Sequence, residues 1–239
     1  MRRFVSASPI QREMRALADR SRAAAVQRFF KTGPGEYGAG DRFLGIRVPV
    51  LRKLAAKYQP LSLRALSGLL KSRWHEERLL ALLILVRQYA SAEPPQREAI
   101  YQLYLSRTAQ INSWDLVDCS AEHIVGAHLR GGNRNQLLRL AKSQIVWERR
   151  IAIMATFHYI KRGEFDDTLR VARVLLDDPH ELIHKAVGWM LREVGKRSGA
   201  VEEEFLLQHA KRMPRTMLRY AVERFPQSLR RRYLALTSA

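Results

Sequence analysis

Along almost the whole chain, apolar residues return at three- and four-residue intervals, and no stretch sustains a period of two bounded by hairpin dipeptides. That rhythm belongs to helices with one buried face. The residues that would break it are few and gathered. They stand at Lys31-Thr32-Gly33-Pro34-Gly35, Glu93-Pro94-Pro95, Gly131-Gly132-Asn133, Asp177-Asp178-Pro179 and Met213-Pro214. Each cluster reads as the stop of one helix or the first turn of the next. The pattern predicts helices near 9–31, 49–58, 61–70, 74–90, 95–107, 113–129, 134–142, 144–161, 165–176, 179–196, 200–211, 213–224 and 226–236. The fold class is therefore all-α.

From about residue 60 the helices pair, in units near 61–90, 95–129, 134–161, 165–196 and 200–236. In several units the second helix starts apolar and sets a basic residue at its core-facing edge: Arg78, Arg149-Arg150 and Lys185. Helical pairs repeating at roughly 33–37 residues are the mark of a HEAT-type α-solenoid, where each pair buries its apolar face only against its neighbours. We expect one domain over 1–239, with capping helices over 1–58 and helical-pair repeats over 59–239. A solenoid has a concave inner surface, and lining it with Lys and Arg makes a groove for a duplex.

Charge points the same way. The chain has 42 Lys and Arg against 23 Asp and Glu, a formal net charge of +19, and a sequence pI near 10.8. A hydrophobic fraction of 46% argues against intrinsic disorder, and a lone Cys119 against a disulfide scaffold. A basic globular chain of this kind is expected to meet a polyanion, nucleic acid before an anionic membrane. The greasiest run, Leu79 to Val86, is far short of the roughly 20 residues of a membrane span. The Arg-rich stretch Met1 to Phe30 has the composition of a transit peptide, but Met14, Leu17, Ala18 and Ser21 keep helical spacing, so an amphipathic helix is expected. A secretory signal is not expected without an apolar run there.

Three clusters can carry chemistry. In Ser113-Trp114-Asp115-Leu116-Val117-Asp118, Trp114 and Asp118 are four apart and share a helical face, while Ser113 and Asp115 suit the helix start. Asp118 lies too far inside the helix to be a cap. It is either a surface ion-pair partner or a carboxylate at the edge of an indole-walled pocket. Lys185, Trp189, Arg192 and Lys196 form one stripe in which cations grip phosphates and the aromatic meets sugar or base; the plainer reading is a core Trp189 between solvated charges. Arg149 and Arg150 head an apolar helix against its dipole, so at least one needs an anionic partner, a carboxylate such as Asp118 or a phosphate.

His180-Glu181-Leu182-Ile183-His184 matches a zinc-protease pattern. Pro179 puts His180 in the first turn, and no third ligand follows at a recognised spacing. Capping and surface histidines are the expectation, with no metal. Cys119 reads as a small core residue.

The three clusters in their order resemble the AlkD-like DNA alkylation repair glycosylases, a HEAT-repeat family that removes N3- and N7-alkylated purines. The resemblance runs from about Phe43 to Tyr220. Phe43-Leu44-Gly45-Ile46-Arg47-Val48-Pro49 is similar to the family's Phe-Leu-Gly-Ile-x-Thr-Pro element, with Val48 in place of a threonine that helps hold the DNA backbone. Trp114 and Asp118 match the catalytic Trp-Asp-x-Val-Asp segment, Arg150 the active-site arginine, and Trp189 the second pocket tryptophan. Tyr37 corresponds to a pocket tyrosine, with its spacing to Leu44-Gly45 off by one. Arg52, Arg192 and Lys196 correspond by position to backbone-contacting residues, and Lys185 and Arg149 join them as DNA contacts.

The resemblance implies a glycosylase in base excision repair that acts on duplex DNA containing alkylated bases and leaves the lesion stacked. It implies catalytic Asp118, Trp114, Trp189 and Arg150. We expect no cofactor, no membrane, no obligate protein partner, a monomer, and a cytoplasmic location brought to the nucleoid by DNA. The alternative is a non-catalytic HEAT scaffold that binds nucleic acid through the same basic surface.

Overall fold

The computed structural model describes residues 7–237. Among them there is no strand, only an isolated bridge between Arg42 and Trp74. No helix among the described residues is long and apolar enough to cross a membrane. The chain divides after Ile124 into two compact units.

The first unit holds α1 (Ala7–Ala16), α2 (Arg20–Phe29), α3 (Val48–Lys57), α4 (Leu63–Leu70), α5 (His75–Ser91), α6 (Pro94–Leu105) and α7 (Trp114–Asp118). Its centre is α5, buried on every face from His75 through Leu85. From Leu79 on this is because the sequence is apolar all round, and over the first turn, His75 to Arg78, because its polar side chains are paired inside the unit. Helices α3, α4, α6 and α7 pack against it. Proline opens α3 and α6 at positions where the amide would be unpaired in any case.

The single helix expected over 9–31 is two. Asp19 interrupts it, its backbone N–H reaching the Leu44 carbonyl and its carboxylate capping α2 at the Arg22 amide. The stripe expected there is only partly realised, with Met14 buried and Leu17 exposed. Arg2 and Arg3 of that stretch lie outside the described residues.

The second unit holds α8 (Ala127–Leu129), α9 (Asn135–Ala141), α10 (Val146–Ala155), α11 (Phe157–Ile160), α12 (Asp166–Val174), α13 (Glu181–Gly195), α14 (Gly199–His209), α15 (Arg215–Ala221) and α16 (Gln227–Leu234). Here α13 is the hub, meeting α10, α12, α14 and α15. Gly188 makes its pairing with α15 possible: a Cβ there would lie 2.3 Å from the Met217 carbonyl oxygen.

Two expected helices are divided. The span 113–129 breaks into α7, a π-helical turn at Glu122–Gly126 and α8, and 144–161 breaks between α10 and α11. At each break a buried hydroxyl donates back to a carbonyl of the preceding turn, Ser120 to Leu116 and Thr156 to Ile153, which loosens the helical ladder.

Candidate active site

In the first unit the site begins with a loop. Residues 41–47 are stitched to the head of α5 by Arg42, whose N–H donates to the Arg73 carbonyl and whose carbonyl accepts from His75 N–H. Glu76, 4% exposed, receives the amides of Leu44 and Gly45 at 2.8 Å each and of Ile46 at 3.3 Å. Gly45 has φ +76°, and a Cβ there would stand 2.2 Å from the Asp19 carbonyl oxygen. The Phe-Leu-Gly-Ile element is therefore a tight loop wrapped on a buried carboxylate, with glycine required at its third position.

Helix α7 is set against that loop. Trp114, half-buried, stacks on Phe30 with ring centroids 5.3 Å apart and planes within 7°. Its indole N–H donates to the Tyr37 hydroxyl at 3.2 Å, so the structure brings Tyr37 and Trp114 together. Asp118 lies one turn on, half-buried, on the face that Trp114 occupies. Ser113 stands at the N-cap position but its hydroxyl makes no capping bond. Asp115 is drawn to His75 instead, 2.7 Å from Nε2.

Beneath the indole lies a buried polar group. His75 bridges Asp115 and Asp41 through its two ring nitrogens, and Arg78 and Asn112 also donate to Asp41. Burial alone would depress the imidazole, yet the hydrogen bonds from its ring to Asp115 and Asp41 outweigh that and push His75 up to about 9. Burial works against ionisation of Asp41, but the His75 hydrogen bond and the Arg78 charge hold its carboxyl below the usual range. Arg52 is exposed on α3, and its charge reaches the end of α7, where it opposes the upward push of burial on the Cys119 thiol.

In the second unit, α13 carries the basic stripe. The Trp189 indole donates to Glu193 at 3.2 Å and lies 6.3 Å from the Phe157 ring. It is half-buried, so it is neither a core residue nor a fully open platform. Glu193 also binds Lys196 at 2.6 Å and Arg197 at 3.2 Å. Burial opposes its charge, but these partners hold its carboxyl below the usual range. Arg192 pairs with Glu223, and Lys185 with Glu181 one turn earlier.

Arg149 reaches the buried Asp178 at 2.5 Å and donates to the Ser143 and Gln144 carbonyls. That supplies the anionic partner which an arginine at the head of α10 requires. Arg150 is buried and donates to the Leu182 carbonyl. His180 caps α13, its Nδ1 accepting the Leu182 amide, and His184 donates to the Asp178 carbonyl.

Sequence reasoning placed Arg78 at a core-facing edge, where it is found, but missed His75, Asp41, Glu76 and Glu193. The signal for Glu76 was available: a carboxylate directly ahead of the most apolar run in the chain has to be paired to be buried there.

A model of the DNA alkylation repair enzyme family matches residues 10–225. Among solved structures, a predicted DNA alkylation repair enzyme from Enterococcus faecalis superposes with a TM-score of 0.67 at 15% identity, over 88% of this chain and 97% of that one. No curated protein gives a significant match.

Proposed function

The chain belongs to the DNA alkylation repair enzyme family, and we propose that it is a glycosylase that releases N3- and N7-alkylated purines from duplex DNA. The observation that carries this reading is the pose of α7. Trp114 is held on two sides by Phe30 and Tyr37, with Asp118 one turn along the same face. We read the helical pairs as HEAT-type repeats.

Alkylation at N3 or N7 leaves a positive charge on the purine, so the glycosidic bond is already weakened. The C1′–N bond breaks, its electron pair neutralises the base, and positive charge develops on the deoxyribose. A fixed carboxylate at Asp118 stabilises that charge more than the ground state, which is the condition for catalysis. Water then adds at C1′ and gives up a proton, which Asp118 can take and pass to solvent. The Trp114 face favours a cationic ligand by ~0.5–2 kcal/mol.

Trp189 is assigned the role of a second indole for the lesion and Arg150 that of a phosphate clamp. Arg52, Lys185, Arg192 and Lys196 are assigned to the backbone. Each of these last three has an acidic neighbour to leave when phosphate arrives. No cofactor is required, because the leaving group arrives charged, and no base-flipping pocket is required either. The protein is proposed to act as a monomer in the cytoplasm.

The test is incubation with a duplex containing 7-methylguanine and detection of the free base. Asp118→Asn should slow single-turnover release by on the order of 10²–10³, as loss of a preorganised electrostatic contact does, while leaving binding to undamaged duplex intact. Tight binding with no base released would replace the enzyme by a scaffold. Release at the wild-type rate by Asp118→Asn would remove the carboxylate from the mechanism.

A further inference from the structure

We propose that His75 is a positioning residue for the site on α7: it ties Asp115 at the head of that helix to Asp41 on the loop, and its ring stack sets the pose of Trp114. The geometry is continuous. The His75 ring lies 4.7 Å from Phe43 in a stacked arrangement and 4.9 Å from Phe30, and Phe30 in turn stacks on Trp114. One ring therefore supports the indole through Phe30 and holds the head of α7 through the Asp115 carboxylate. Its side chain is 3% exposed, and those of Asp41 and Arg78 are 8% and 4%.

Charge balance makes the support depend on one proton. The charged groups facing the ring are Asp41 from the loop, Arg78 from its own helix and Asp115 from α7. With the ring protonated, the four groups sum to zero and both ring nitrogens donate. A neutral imidazole has one N–H, so a nitrogen lone pair must then face a carboxylate. Two carboxylates against a single guanidinium also leave net negative charge where there is little water. The ring is obliged to shift, and Asp115 and Phe30 move with it. The two carboxylate hydrogen bonds keep the proton in place to about pH 9, so the arrangement is intact across the neutral range.

The catalytic consequence rests on the glycosylase reading above, but the link to Trp114 does not, and the two can be tested apart. Protein labelled with 5-fluorotryptophan, its Trp114 resonance assigned by Trp114→Phe, is titrated from about pH 6 to 10, a window that brackets a cation held well above the ordinary imidazole value. The Trp114 resonance should move with a midpoint near 9 in wild type. In Asp115→Asn the midpoint should fall toward the ordinary value of histidine. In His75→Gln, which reaches one carboxylate at a time and cannot stack, the movement should vanish.

In the base-release assay His75→Gln should lose roughly 10- to 100-fold in single-turnover rate, the scale of a displaced catalytic constellation, with duplex affinity little changed. The alkaline fall of the wild-type rate should be missing from its profile. A Trp114 resonance indifferent to pH in folded wild type overturns the proposal, and so does a His75→Gln enzyme with wild-type rate and profile. If wild type releases no base at all, the glycosylase reading fails and the fluorine titration still decides the role of His75.

Discussion

Glu76 offers the sharpest test of how the loop beside α7 is held. Its two carboxylate oxygens take three buried amides, Leu44 on Oε2 and Gly45 and Ile46 on Oε1. In Glu76→Gln the amide oxygen can keep Gly45 and Ile46, but the amide nitrogen then points a donor at the Leu44 donor. One buried N–H is orphaned, at about 1–3 kcal/mol. Relaxation is limited, because Gly45 sits against the Asp19 carbonyl and the loop cannot slide toward it.

Glu76→Ala orphans all three amides, roughly 3–9 kcal/mol, which rivals the ~5–15 kcal/mol of a whole domain. At about 2–4 °C per kcal/mol for a chain of this size, Glu76→Gln should melt roughly 2–12 °C below wild type, and Glu76→Ala should be folded poorly or not at all. Amide exchange reads the cause directly, since Leu44 should lose protection in the glutamine variant ahead of Gly45 and Ile46. A glutamine variant that melts with wild type and keeps Leu44 protected would show that the carboxylate does not hold the loop.

Glu202 is buried at 3% exposure with Oε1 unpartnered among the described residues, and burial pushes its carboxyl up to about 8. A raised carboxyl favours the protonated folded state, so stability is full below about pH 4.5 and is lost as pH rises through 8. Glu202→Gln should therefore match wild type at pH 4 and exceed it at pH 9 by on the order of a few kcal/mol in chemical denaturation; equal stability at both would refute this. Arg149→Ala should cost roughly 3 kcal/mol in chemical denaturation by leaving the buried Asp178 carboxylate without its cationic partner and with only the His180 amide on it; wild-type stability would refute this. Duplex affinity should fall steeply with salt, each neutralised phosphate adding about −0.9 to the log–log slope. A flat salt dependence would remove nucleic acid as the partner.

What could be read from the sequence, and what could not, follows from the range of the forces involved. Helix positions come from local periodicity and local breakers, so α5, α6 and α13 fall within a few residues of their expected spans. The divisions within 9–31, 113–129 and 144–161 were not legible. They depend on single side chains, Asp19, Ser120 and Thr156, whose polar atoms turn back on neighbouring backbone only once the surroundings are in place. The Trp114–Asp118 spacing was legible because both residues lie on one turn of one helix.

The network beneath them is of a different kind. His75 meets Asp41 across 34 positions and Asp115 across 40, and no periodicity joins residues so far apart. The arginines at the head of α10 lie between these cases. The helix dipole requires an anion near Arg149 or Arg150, which the sequence states clearly. The choice of Asp178, 29 residues on, is settled by the fold that brings the end of α12 against α10. Local rules thus fix that a charge must be answered, and tertiary packing decides by which residue. The side chains that position a site are therefore harder to read from sequence than those that form its face.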